Sequence, residues 1–330
     1  MSKLRALLVG AGGMGRAWAG NLYGRRDMEL AGWMDILPDA AGKAIADLKF
    51  ADVKAFGDLN KALSELKPDF VVDASIPEAH HQVTLDSLAA GAAVLGEKPM
   101  AHSMQHAREM IQASERWGKL YMISQHRRYD PRAVAFADAI RKHVGPPAVL
   151  CSDFFLPARV EGFRKQMDHP LLIDMAIHTF DAARQISGTD PIDVYCEEFN
   201  PPWSWFKGNA GASAIFHMTG NLRYEYRGCW CAEGLTTSWQ GQWRAYGPQG
   251  AAEWDGDSEP IAHPVNGKKT VEKCREMQHQ GIAGSLHEFL HALKTGTIPQ
   301  GECHENIKSL AMVFAAIEST TTGKRVEVSP

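Results

Sequence analysis

The stretch Leu4–Gly15, LRALLVGAGGMG, decides how the chain begins. Its first half, LRALLV, is a short apolar run suited to a buried strand. Its second half, GAGGMG, is a tight turn, and RAWAGNLYGR follows with helical spacing. Gly10, Gly12 and Gly15 therefore fit G-x-G-x-x-G between a strand and a helix. In that pattern the first glycine permits the turn, the second lets backbone approach a pyrophosphate, and the third allows close helix–strand packing. Gly13 and Met14 complete the turn, where the opening helix presents unpaired N–H groups to phosphate.

A lone glycine-rich turn says little, so the reading depends on what surrounds it. A second strand-like run, MELAGWMD, ends at Asp35, twenty residues after Gly15. An acid at that distance accepts hydrogen bonds from adenosine ribose hydroxyls. The following ILPDA contains no arginine to pair with a 2′-phosphate, which favours NAD over NADP, although Lys43 lies nearby.

The alternation continues. DFVVDAS reads as a strand, PEAHHQVTLDSLAAG as a helix and AAVLGEKP as a strand. MAHSMQHAREMIQASERWG then reads as a helix and KLYMISQ as a further strand. Strands alternating with helices predict a parallel, doubly wound sheet, with ligands beyond the carboxyl ends of its strands. Asp35, Ser75 and Lys98 all fall at such ends. From about residue 147 the pattern changes to β-rich runs, among them AVLCSDFFLP, VYCEEFN, ASAIFHMTG and LRYEYRGCWCAEG. Helical patterns return near 281–294 and 304–320. We read an α/β chain of two domains, 1–124 for dinucleotide and 125–330 for substrate and oligomerisation.

Bulk properties narrow the function classes. At 330 residues the chain can bury two cores, and a net charge of −4 without a basic run gives no reason to expect nucleic acid or an anionic membrane. No long apolar span occurs, and the opening residues run into a glycine turn rather than a cleavage site. The six cysteines include no CxxC pair, which reads as reduced thiols and a cytoplasmic location.

One motif points elsewhere. HEFLH, residues 287–291, has the spacing of a zinc-hydrolase helix, with His287 and His291 as ligands and Glu288 as general base. A competing stripe, Leu286, Phe289, Leu290 and Leu293, would bury Phe289 and turn Glu288 and His291 to solvent. A third ligand would have to come from Glu302, His304 or Glu305. We read the motif as a surface accident and expect no metal.

Ordered landmarks give the chain a resemblance that covers nearly its whole length. After GAGGMG come SIPEAHH, with Pro77 and His81, and GEKPM, with Glu97, Lys98 and Pro99. Then come SQHRRYDP and DMAIHTFD, with Asp174, His178 and Asp181, and finally SLHEFLHALKTGTIP. In this order they resemble the Gfo/Idh/MocA oxidoreductases. The resemblance implies an N-terminal Rossmann domain and a C-terminal α/β domain on a large, mostly antiparallel sheet. It implies NAD held by Gly10, Gly12, Gly13, Met14, Gly15, Asp35, Ser75, Pro77, His81, Glu97 and Lys98. It also implies a Lys98–Pro99 bond that is often cis, and a dimer or tetramer formed through the open face of the second sheet.

In the activity so implied, NAD takes hydride from a secondary hydroxyl of a sugar, polyol or sugar derivative. Lys98 stands by the substrate oxygen, His178 is the acid/base, and Asp174 is the second polar member. Asp174 and His178 are four apart, so a helix would point both one way. His126, Arg127, Asp153 and Phe155 are candidate substrate contacts. The sequence departs from the family in DHPLLID, where glycines are common, so His169 is a further candidate, with a solvated loop histidine as the plainer reading. Other readings are a glycoside hydrolase or lyase that uses transient oxidation by bound NAD, and a binding protein on the same fold. Intact Lys98, Asp174 and His178 argue against the last.

Overall fold

The computed structural model describes residues 3–330. Its chain divides into two compact units: one runs to Gln125 and takes in Ile282–Ile307, and the other is His126–Gly281 with Lys308–Pro330.

The first unit is built on the strands β1 (Leu4–Val9), β2 (Met28–Met34), β3 (Lys54–Phe56), β4 (Phe70–Asp73), β5 (Ala93–Glu97) and β6 (Tyr121–Ser124). They pair in parallel in the order β3-β2-β1-β4-β5-β6. The connecting helices are α1 (Gly13–Leu22), α2 (Ala40–Asp47), α3 (Leu59–Leu66), α4 (Pro77–Ala89) and α5 (Met104–Trp117). A sheet covered on both faces needs strands that are apolar throughout, and every residue of β4 and β5 is buried. Amphipathic α3 places Leu59, Ala62, Leu63 and Leu66 against Leu7, Val9 and Val71. Asp58 caps α3 at Lys61 N–H, and Ser103 caps α5 at His106 N–H, each fixing where its helix starts.

The return of Ile282–Ile307 to this unit differs from the division after residue 124 that the sequence suggests. Its cause is the apolar stripe of helix α8 (Gly281–Thr295), whose Leu286, Phe289 and Leu290 are buried. The Phe289 ring meets Phe70 of β4 edge-on at 5.5 Å, and Gly301 accepts a hydrogen bond from Ile123 N–H.

The second unit holds helices α6 (Pro131–Ala139) and α7 (Ile177–Ser187). Its strands are β7 (Val149–Phe155), β8 (Pro191–Phe199), β9 (Gly211–Met218), β10 (Arg223–Cys229), β11 (Gln242–Gly247), β12 (Gly250–Trp254), β13 (Ile261–Pro264), β14 (Thr270–Val271) and β15 (Val326–Glu327). They form one sheet in the order β14-β13-β12-β11-β7-β10-β9-β8-β15, antiparallel except where β7 meets β10. The large, mostly antiparallel sheet is therefore present. Burial alternates along β7, β9 and β11, as it must when one face is packed and the other open. Phe180 of α7 lies against Phe216 and Tyr226 of the packed face, ring centroids 4.8 and 5.2 Å away. Helix α9 (Cys303–Thr322) precedes β15. Among the described residues, no helix is long and apolar enough to cross a membrane.

Candidate functional site

Around the glycine turn, geometry follows the sequence reading closely. Gly10 has φ +94°, and a Cβ there would stand 2.5 Å from the Ala74 carbonyl oxygen. A Cβ on Gly15 would stand 1.9 Å from the Gly10 oxygen, so α1 can approach β1 only without one. Around Gly12 and Gly13, at the start of α1, a Cβ would meet nothing. Space and unpaired amide groups at a helix N-terminus are what a pyrophosphate requires. At the end of β2, the Asp35 carboxylate accepts hydrogen bonds from Ala11 N–H (2.6 Å) and Leu37 N–H (2.8 Å), which fixes it beside the turn. Ile36, Leu37 and Ile76 expose apolar side chains next to Asp35 and Ser75, a surface suited to a flat base that sequence reading passed over. These residues fit a dinucleotide.

Beneath Ser75 lies a buried polar chain, only partly foreseen. Ser75 Oγ donates to Asp73 Oδ1 at 2.5 Å, and His80 Nδ1 lies 2.8 Å from Asp73 Oδ2. Burial by itself pushes the Asp73 carboxyl up and the His80 imidazole down. Their mutual charge and hydrogen bond, with Ser75 adding to Asp73, reverse both, so Asp73 ends below and His80 above its ordinary value. His81, the neighbour singled out in the sequence, instead places Nε2 2.7 Å from Glu109 of α5. Nothing in the apolar spacing of α4 distinguishes the two histidines; only the fold does. Glu97 is buried, accepts from Trp18 Nε1 at 2.8 Å, and has its carboxyl pushed up by burial. Lys98 follows it on a cis bond to Pro99.

The second unit assembles its own polar group. Leu171–Ala176 forms a π-helical turn that runs into α7, so Asp174 and His178 do not share one regular helix as their spacing implies. Such turns add a residue to the helical ring and re-aim side chains, often at functional sites. Both residues are buried. Arg164 Nε donates to Asp174 Oδ2 at 2.6 Å, and the His126 ring lies 5.2 Å from that of His178. Arg127 is buried beside Tyr226, Asp130 and Asp174. Burial outweighs their favourable charges and pulls the guanidinium down to about 10. All three of its nitrogens are buried without a hydrogen-bond partner among the described residues, and so is the Tyr226 hydroxyl. Arg128 and Asp181 form a buried bidentate pair at 2.8 and 2.6 Å, which ties the HRRY turn to α7. The third member of the Asp-x-x-x-His-x-x-Asp motif thus fastens the helix.

Two candidates stand apart from this group. Ser152 and Phe154 of β7 are buried on the packed face, so the strand pleat turns Asp153 and Phe155 to the opposite side. There Asp153 accepts both Nε and Nη2 of Arg227, at 2.8 and 2.7 Å, an ion pair between neighbouring strands of the open face. His169 is half-buried and held in place: its Nδ1 lies 2.7 Å from Glu198 Oε2, whose side chain is fully buried. That hydrogen bond raises the imidazole against a smaller opposing effect of burial.

The HEFLH residues do not assemble a ligand set. His287 and His291 are exposed, and Glu288 accepts from Gln300 N–H at 3.1 Å. Among the described residues, neither histidine belongs to a trio of ligand atoms close enough for an ion.

Comparison with known proteins agrees with this reading. Residues 4–125 match the oxidoreductase family with the NAD-binding Rossmann fold. An uncharacterized protein of Sinorhizobium fredii is 25% identical over 98% of this chain and 95% of its own length. An inositol 2-dehydrogenase of an Arthrobacter species is 30% identical, with the match spanning 58% of this chain and 56% of the relative. An oxidoreductase from Agrobacterium radiobacter, solved with NAD+, L-tartaric acid and magnesium, shares the fold with a TM-score of 0.90 at 18% identity, over 99% of both chains.

Proposed function

We propose that the chain is an NAD-dependent oxidoreductase of the Gfo/Idh/MocA type, whose NAD-binding Rossmann domain its residues 4–125 match, and that it oxidises a secondary hydroxyl of a sugar, polyol or sugar derivative. The observation that carries the reading is the glycine turn. Gly15 is packed hard against Gly10, Gly12 opens on free space, and Asp35 is fixed at the end of β2. The similarity to an inositol 2-dehydrogenase over about half of that protein supports a polyhydroxylated substrate.

Gly12, Gly13 and Met14 would receive the pyrophosphate, Asp35 the ribose, and Ser75, Pro77, Glu97 and Lys98 the remainder of NAD, which when bound supplies the hydride acceptor. We assign His178 to take the hydroxyl proton, with His126 beside it and Asp174, held by Arg164, as the second polar member. Lys98 supplies a positive charge for the developing alkoxide. Arg127, with three unpartnered buried nitrogens, is the strongest candidate for a substrate oxygen. General acid–base help is worth about 10²–10⁴-fold, so His178→Asn should lower turnover by that much while NAD affinity holds. Dimer or tetramer formation through the open face of the second sheet completes the reading, and light scattering tests it.

The functional test is NADH appearance across polyols, sugars and glycosides, with Lys98→Met as control. Net NADH that the variant loses supports the dehydrogenase. Glycoside cleavage that needs NAD and Lys98 but yields no NADH would replace it with transient-oxidation chemistry.

A further inference from the structure

Helices α4 and α5 bring three potential ligands together away from the glycine turn. His106 and Glu109 are three apart on α5 and so lie on one face. His81 of α4 meets them there. One ligand atom each from His81, His106 and Glu109 lie within 4.8 Å of one another. The His81 and His106 rings stack at 3.9 Å with their planes 16° apart, and the exposed His102 ring stands edge-on to His106 at 4.5 Å. His81 Nε2 already lies 2.7 Å from Glu109 Oε2, and Gln105 Nε2 donates to the other oxygen at 2.9 Å, which orients the carboxylate. His106 Nδ1 is buried and has no hydrogen-bond partner among the described residues.

We propose that His81, His106 and Glu109 form a binding site for a divalent transition metal, zinc foremost, with His102 able to swing in as a fourth ligand. Imidazole and carboxylate ligands in this number suit zinc, nickel or copper rather than magnesium or calcium, which prefer all-oxygen shells. Two ligands from one helix turn and a third from a neighbouring helix is an established way to hold such ions in helical proteins. Binding would staple the N-terminal halves of α4 and α5. Those halves follow Ser75 and the Lys98–Pro99 bond, so the ion would stiffen both segments without touching the reaction.

The test uses the full-length protein freed of metal with EDTA and titrated with zinc chloride by calorimetry, and with cobalt(II) by visible absorption. The expected result is one ion per chain, a dissociation constant below about 10 μM, and a cobalt spectrum of tetrahedral intensity. At a hundredfold excess of zinc over that constant, the melting temperature should rise by about 4 °C. His106→Ala and Glu109→Gln should each weaken zinc at least tenfold while leaving the zinc-free melting curve nearly unchanged. His291→Ala, in HEFLH, and His304→Ala, beside Glu302 and Cys303, should change nothing. Binding weaker than about 100 μM, or binding lost in His291→Ala or His304→Ala but kept in His106→Ala, would overturn the assignment.

Discussion

Two alanine substitutions three residues apart in the glycine turn should behave as opposites. In Gly15→Ala the new Cβ stands 1.9 Å from the Gly10 oxygen and 2.8 Å from its carbonyl carbon, where ordinary contact needs more than 3.4 Å. The Gly10 peptide cannot simply yield. Its N–H is bonded to Met34 O at 2.8 Å, and its oxygen accepts from Trp33 Nε1 at 2.8 Å. Overpacking costs about 1–3 kcal/mol and each disturbed hydrogen bond about 1 kcal/mol, so the substitution should remove about 3–5 kcal/mol of stability. In Gly12→Ala the Cβ meets nothing, and the backbone there, φ −71° and ψ −168°, suits any L-residue. A poorer N-cap is offset by a less disordered unfolded chain, leaving a net change within about 0.5 kcal/mol. That Cβ does occupy the space assigned to pyrophosphate, so NAD affinity should fall at least about tenfold, or 1.4 kcal/mol. Urea unfolding with and without NAD reads both effects. At a hundredfold excess over its dissociation constant, NAD adds about 2.7 kcal/mol to the wild type and about half that to Gly12→Ala. Undiminished NAD stabilisation in Gly12→Ala would refute the cofactor assignment, and a stable Gly15→Ala would refute the packing argument.

Other expectations follow from the second unit. Asp181→Ala leaves the Arg128 guanidinium buried without its carboxylate and should cost about 3–5 kcal/mol, read as a lower urea midpoint at unchanged slope. Arg127→Met removes a buried charge whose nitrogens lack partners, so stability should hold or rise while KM increases at least about tenfold; a large loss of stability at unchanged KM would make Arg127 purely structural. His169 is raised by Glu198, so its pairing contributes fully below the ordinary imidazole value near 6.5 and is lost as pH climbs through the raised one. Comparing wild type with Glu198→Gln from pH 6 to 9, the stability difference should shrink with rising pH; a difference that grows would contradict the assignment.

How much of this was legible beforehand depends on what each residue's pattern can encode. The glycine turn, the acid ending β2 and the parallel alternation all speak through local spacing, and the structure reproduces them. The placement of Asp153 on the open face, paired with Arg227, is not legible because VLCSDFF mixes apolar and polar residues on both parities, so the packed face of β7 could not be chosen from sequence. The choice of His81 over His80 failed to anticipate Asp73, whose partner is set by how β4 and α4 meet. The π-helical turn at Leu171–Ala176 has no sequence signature, so four-residue spacing suggested a regular helix for Asp174 and His178. Arg164 and Glu198 were invisible for a related reason: each reaches its partner across 10 and 29 residues through loop or sheet geometry.

The return of Ile282–Ile307 to the first unit also bears on how the protein is made. Synthesis must run from Gln125 to Phe289 before that ring can cover Phe70, an interval of 164 residues. At 5–20 residues per second that is about 8–30 s during which the emerging first unit lacks its last helix. A ribosome-bound chain stopped near residue 125 would therefore display apolar surface that the finished protein hides, and would be a natural client for a chaperone until α8 arrives.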